Sequence, residues 1–165
     1  MDEQQILRTI GQMWPGPIVN NSSWLFGFGE ILHFFGVCLL FGSLLIVDLR
    51  LMGFFRSMPV KAALAFLPWA IVGFLINMAT GWEFFTSDPF QYWTNPAFKM
   101  KMLLIVFAGI NALVFTIVEH RQCLTIGPDG DTTTFTKVTA GLSLALWAGV
   151  LMLGRMLPVV GFGTN

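Results

Sequence analysis

Charge is scarce in this sequence. Nine Lys and Arg and nine Asp and Glu make up 11% of its 165 residues and sum to zero. A soluble domain carries about 25% charged residues, so an ordinary soluble globule is excluded. Balanced charge also removes the basic face on which nucleic acid binds, and no nucleic-acid partner is expected. Cysteine is limited to Cys38 and Cys123, without CxxC, CxxCH or zinc spacing, which excludes a disulfide framework or a structural zinc module. No Gly-rich phosphate loop, Walker pattern or nucleophile elbow occurs, so soluble-enzyme chemistry has no foothold. Segments of about 10 residues with strict alternation, the mark of an outer-membrane barrel, are missing too. The first residues lack a basic stretch ahead of an apolar core, so no cleaved signal peptide is expected.

Apolar residues are abundant: 55% of the chain is hydrophobic, with 17 Phe and 6 Trp, and the mean hydropathy is +0.72. They gather into four runs at about 24–47, 63–80, 100–118 and 138–153, each near the ~20 residues that cross a bilayer as a helix. The expected fold is all-α: an integral membrane four-helix bundle over 24–158, with a short tail at 159–165. Residues 1–23 differ. Ile6, Leu7, Ile10, Met13 and Trp14 share a helical face, and Pro15-Gly16-Pro17 ends the run, which predicts an amphipathic interfacial helix on the outer membrane surface. Asn20-Asn21-Ser22-Ser23 is expected to cap the first span.

Loop charge sets the orientation. Connections 48–62 and 119–137 carry Arg50, Arg56, Lys61, Arg121 and Lys137, against Arg8, Lys99, Lys101 and Arg155 on the other side. The bias places both termini outside and those two connections inside. The outer loop 81–99 holds Trp82, Phe84, Phe85, Phe90, Tyr92, Trp93 and Phe98. It is too apolar to hang in water, and it is expected to fold over the bundle as a lid.

Ionisable groups inside apolar spans are costly and face the bundle interior. Glu30 and His33, three apart on one helix face, lie about 9–14 Å below the outer start of the first span. Lys101 begins the third span on that side, while Trp82 and Arg155 end the second and fourth. One acid, one imidazole and two cations thus meet near one depth. A histidine in an apolar four-helix interior suits the axial position of a haem iron. Lys101 and Arg155 suit the propionates. Glu30 suits a neighbouring hydrogen bond, and Phe34, Phe35, Trp82 and Trp147 suit the walls of a macrocycle. The expectation is a haem b membrane protein for electron transfer or redox sensing, with one or two haems per chain. If it is an enzyme, it is a membrane oxidoreductase, with a quinone or a periplasmic redox protein as partner.

Rival readings use the same residues. The Glu30, His33, Lys101 and Arg155 network could serve, without cofactor, as a proton or metal relay in a transport or accessory subunit, or simply as a structural ion network. Met100, Met102, Met152 and Met156, with His33 and Cys38, could form a soft site for copper, although Met also fills irregular cores. His120, in Glu119-His120-Arg121, could ligate a second haem or belong to a solvated charged run. About 20 residues of helix separate Met100 from His120, so His33 and His120 differ in depth by ~15 Å or more and cannot share an iron within one chain. The inner loop, with Gly127-Pro128-Asp129-Gly130-Asp131, reads as a solvated turn or as a docking segment of a scaffold.

The run Glu30-Ile-Leu-His33-Phe-Phe-Gly36, continuing to Gly42, with Asp48-Leu-Arg50-Leu-Met-Gly53, resembles a family of uncharacterised bacterial four-helix inner-membrane proteins. Asn77 to Gly81, Asn95-Pro96-Ala97-Phe98-Lys99-Met100-Lys101, Asn111-Ala112 and Gly154-Arg155 extend that resemblance over 24–158. More distantly, the bundle is similar to the copper-resistance D membrane proteins and to small four-helix b-type cytochromes. The resemblance implies a bacterial inner-membrane location and a four-helix fold. Those cytochromes hold each haem between two histidines, whereas this chain has two in all. A second ligand would come from Lys101, a Met or another subunit, and a homo-oligomer is expected on that account. Small residues such as Gly36, Gly42 and Ser43 permit close helix contact.

Overall fold

Among the described residues, five short helices, four long ones and a π turn follow from where the sequence breaks its apolar runs. The computed structural model describes residues 2–127 and 130–161. Helix α1 spans Glu3–Gly11 and α2 spans Gly16–Asn20. The first long helix, α3, is Leu25–Leu51. A turn of helix, α4 (Val60–Leu64), leads into α5 (Leu67–Ser87), and α6 is Pro89–Thr94. Helix α7 (Pro96–Val114) passes through a π turn at Phe115–Glu119 into α8 (His120–Leu124), and α9 is Thr134–Gly161. Four segments are long and apolar enough to cross a membrane: Leu25–Leu51, Val60–Ser87, Pro96–Leu124 and Thr134–Val160.

These segments outrun the apolar stretches at both ends. The second continues seven residues past Thr80, carrying Glu83 and Phe84 as helix, and α9 absorbs the start of the tail. A helix already nucleated keeps adding backbone hydrogen bonds until a breaker stops it, and the breakers here are Asp88-Pro89 and Asn95-Pro96. Asp88 accepts from Gln91 N at 3.0 Å and Asn95 from Ala97 N at 2.9 Å, each capping a helix whose first turn holds proline, where the missing N–H costs nothing. Residues 162–165 of the tail, and Pro128 and Asp129 of the inner loop, lie outside the described residues.

Helices α3 and α5 run antiparallel along the closest seam of the bundle. α7 and α9 form a second antiparallel pair, and α3 against α9 joins the two. Among the described residues α5 and α7 share no comparable seam. Gly36 and Gly73 explain the α3–α5 approach. A Cβ on Gly73 would stand 2.5 Å from Leu40 N and 2.7 Å from Gly36 O, leaving backbone on backbone as small residues allow in membrane helices. Most other apolar side chains point away from the bundle, among them Phe34, Phe35, Leu75, Ile117 and Met152. Lipid tails can solvate such a surface where water would not.

The two ends of the bundle differ. At the end away from the amino terminus, here the loop end, Val47, Leu51, Val60, Leu64, Cys123 and Ala140 form the buried core. Lys137 Nζ at 2.7 Å and Arg56 Nη2 at 3.5 Å meet the Asp131 carboxylate there. The Lys137 hydrogen bond, then the Thr132 N–H, hold that carboxyl below its usual range. At the opposite, lid end, Phe98 stacks on Phe85 at 5.5 Å and meets Tyr92 edge-on at 5.5 Å. Residues 81–87 continue α5 and 96–99 begin α7, so only residues 88–95 turn at that end, packed against α1, α5 and α7. The amino-terminal segment docks on this end. Trp93 Nε1 donates to Glu3 Oε1 at 2.6 Å, Trp82 Nε1 to Trp14 O at 3.2 Å, and Asn20 Nδ2 to Ser87 O at 3.1 Å. Asn20 is therefore spent on α5, and α3 begins at Trp24 with no side-chain cap. Pro17 stands in the first turn of α2, so the Pro-Gly-Pro stretch opens a second helix after ending the first.

Candidate functional site

His33 sits on the α3 face that meets α5. Its Nδ1 lies 2.7 Å from Thr80 Oγ1, and its ring lies 5.3 Å from that of Phe84. The Thr80 hydroxyl also lies 2.8 Å from Ile76 O. That carbonyl can only accept, and the hydroxyl has a single hydrogen. Both contacts are satisfied in one way: Thr80 donates to Ile76, and His33 Nδ1–H donates to Thr80. The neutral imidazole then carries its lone pair on Nε2. A fixed tautomer of this kind, with the far nitrogen free, is the arrangement that orients metal-bound histidines.

Lys101 is the cation that reaches this interior. It comes from α7, its ammonium acts electrostatically on His33, and its Nζ would lie 3.5 Å from a Cβ on Gly154 of α9. Lys101 lies close to the Gly154 backbone, where an added Cβ would be in ordinary van der Waals contact with it. Three of the four long segments thus contribute to one pocket of space, with Lys101 crossing from the third to the fourth.

The other expected members are placed differently. Glu30 is exposed, and its charge bears on the Tyr92 phenol of α6. Burial first, then Glu30 and Asp88, raise that phenol above its usual 10.0. Arg155 is exposed, next in sequence to the glycine beside Lys101. Trp82 is spent on Trp14. Phe34 and Phe35 are exposed because each residue turns about 100° further round the helix from His33. The aromatic wall at His33 is Phe84, which also meets Phe26 at 5.3 Å. Trp147 packs instead on Phe74. The second apolar run ends at about Thr80 whereas α5 continues to Ser87, so Phe84 falls in the expected outer loop and Glu83 escapes the sequence reading. Its carboxylate lies where a Cβ on Gly29 would stand, at 2.5 Å.

His120 stands apart, beside Phe115 at 6.1 Å and at the loop end. Glu119 next to it is buried rather than solvated. Met100, Met102, Met152, Met156 and Cys38 are all exposed, and Cys38 is about 140° round α3 from His33. Cys38 lines a hollow of about 360 Å³ with Leu39, Gly42, Ser43, Ile46, Phe66 and Trp69, which His33 does not touch. Among the described residues no three His, Cys, Asp or Glu side chains gather as a metal cage.

Comparison with protein-family models, curated proteins and solved structures gives no match to this chain. Function therefore rests on the site itself. Its chemistry is that of one oriented imidazole lone pair beside Phe84, with a half-buried ammonium close enough to act on it electrostatically.

Proposed function

We propose that this chain is a haem b protein of the bacterial inner membrane, with both termini periplasmic, serving electron transfer or redox sensing as a homo-oligomer. The observation that carries the reading is the Thr80-held tautomer of His33, which leaves Nε2 as the one oriented nitrogen ligand in the lid-end half. A haem bound there would supply one-electron redox chemistry. His33 would hold the iron, Thr80 would hold His33, and Lys101 would neutralise a propionate. The donor set fits one axial bond and one propionate. Arg155 is exposed and is not needed for this assignment. A second ligand to the iron would come from a neighbouring subunit. The small residues and exposed apolar faces of the long helices suit both lipid and such a neighbour. His120, whose ring has no hydrogen-bond partner among the described residues, lacks the support given to His33.

The cofactor-free relay draws less support. Glu30 and Arg155 are exposed, and between Gly36 and Val47 the buried face of α3 offers Leu40 and Ser43 as its only other buried members. A site for copper would need the exposed methionines to turn inward.

The test is an optical spectrum of detergent-purified protein expressed with ample haem. A Soret band is expected, lost in His33→Ala and kept in His120→Ala. No Soret band in the wild type, or a band indifferent to His33→Ala, overturns the proposal.

A further inference from the structure

The loop end holds charged groups that the lid-end site does not use. Asp48 of α3 and Glu119 of the π turn are 5% and 3% exposed, and their Oδ2 and Oε2 atoms are buried with no hydrogen-bond partner. Each carboxyl faces one hydroxyl of α9: Ser143 faces Asp48, and Thr139 Oγ1 lies 3.4 Å from Glu119 Oε1. Those hydroxyls are four residues apart, one helical turn. Asn111 Nδ2 fixes the same turn by donating to Thr139 O at 3.1 Å.

The π turn explains how Glu119 comes to be there. In a regular helix Glu119 would lie about 80° round from Asn111, off the face that meets α9. One extra residue in the turn takes back about 100° and returns it to that face. π turns of this kind concentrate at functional sites.

No basic group balances the pair. Among the described residues neither carboxyl forms a salt bridge, since the ion pairs all go to Asp131. The charged and titratable neighbours are few. On α3, Arg50 is fully buried with its Nε donating to Met58 O and its Nη1 and Nη2 without a hydrogen-bond partner, and it lies about 160° round the helix from Asp48, beyond ion-pair distance. On α4, Lys61 is exposed. The lower half of α5 offers no ionisable group. On α8, Arg121 is exposed, His120 faces Phe115, and the Cys123 thiol faces Glu119 and Thr136. On α9, Lys137 is committed to Asp131.

A carboxylate in an apolar interior is strongly disfavoured unless it is paired, takes a cation or takes a proton. Ca²⁺ would require about 6–8 oxygen ligands, and this site has two carboxyls and two hydroxyls. A proton needs a single oxygen, and each acid has one left over. We propose that Asp48 and Glu119 form a proton-binding carboxyl pair at the loop end, neutral in the folded bundle and exchanging with the aqueous phase beside it. The protons reside on the partnerless oxygens, and the remaining oxygens face the α9 hydroxyls. The pair needs the helices to lie in a bilayer but not the haem, so it stands or falls separately from His33.

Infrared spectroscopy of the full-length protein in lipid vesicles reads the pair without reference to haem. At neutral pH the wild type is expected to show protonated-carboxyl carbonyl bands that shift in D₂O. Asp48→Asn and Glu119→Gln should each remove one such band with helix content unchanged. Loss of carboxylate bands in those difference spectra, or a wild type without protonated carboxyl at neutral pH, overturns the proposal. The wild-type measurement alone decides if a variant fails to fold.

Discussion

Gly73→Ala probes the contact that sets the geometry of His33. The added Cβ would stand 2.5 Å from Leu40 N, 2.7 Å from Gly36 O and 3.0 Å from Leu40 Cα, against about 3.4 Å for an ordinary contact. The obstructing atoms are backbone, which cannot turn aside, so α3 and α5 must part by close to ~1 Å. Overpacking of this kind costs about 1–3 kcal/mol, and a gap of that size forfeits roughly a quarter to a half of each dispersion contact along the seam. We take the upper end, ~3 kcal/mol, because the clash is with backbone on both sides. Alanine's helix propensity returns ~1 kcal/mol. The net loss is then about 2 kcal/mol, a factor of roughly 30 in the unfolding equilibrium. Gly42, whose Cβ would meet nothing within 4 Å, is the control: Gly42→Ala should be neutral or gain up to ~1 kcal/mol. Reversible unfolding in mixed micelles, followed by circular dichroism and tryptophan fluorescence, measures both. If Gly73→Ala is as stable as Gly42→Ala, the α3–α5 seam is not where these distances place it, and the Thr80 contact with His33 goes with it.

Two further outcomes follow from the lid-end geometry. Thr80→Val removes the acceptor that fixes His33 Nδ1–H, and loss of such a partner typically costs about 10–100-fold in metal affinity. Haem titration should show that drop, whereas Thr86→Val, whose hydroxyl serves only carbonyls of its own helix, should bind as wild type. Equal affinity in both variants would remove Thr80 from the site. Tyr92 is the sole tyrosine, so phenolate absorbance reports it alone. Its titration midpoint should lie above 10.0, because burial and then the Glu30 and Asp88 carboxylates disfavour the phenolate. A folded-state value above the unfolded one means a stability contribution complete below about pH 10 and lost as pH rises through the folded value. Glu30→Gln should lower the midpoint part of the way, and an unchanged midpoint would mean that Glu30 does not face Tyr92.

Much of the fold was legible one residue at a time. Asp88-Pro89 and Asn95-Pro96 announce helix starts because a capping oxygen and a proline act within one turn. Four apolar runs announce four long helices because burying a helix in lipid requires apolar side chains nearly all round it. The aromatic cluster of Phe85, Tyr92 and Phe98 was legible for the same reason, since apolar rings near water gather on one another. Less of the site was legible. Glu30 and Arg155 were grouped with His33 by depth alone, and depth says nothing about rotation round an axis or about which helices stand next to one another.

Composition and periodicity by themselves determined that this is a four-helix chain suited to a bilayer, that His33 and Lys101 belong to one end, and that Cys38 and Cys123 are too far apart to pair. Those conclusions depend on rise per residue and on the cost of polar groups in lipid, both properties of a single helix. Tertiary structure alone decided that Thr80 orients His33, that Lys101 lies against Gly154, and that Glu119, in the π turn, is buried facing Thr139 of α9. Each of these depends on the phase of one helix against another, which for α3 and α5 is set where Gly36 and Gly73 let the backbones approach. That phase is a property of pairs of helices, and no run of residues read alone contains it.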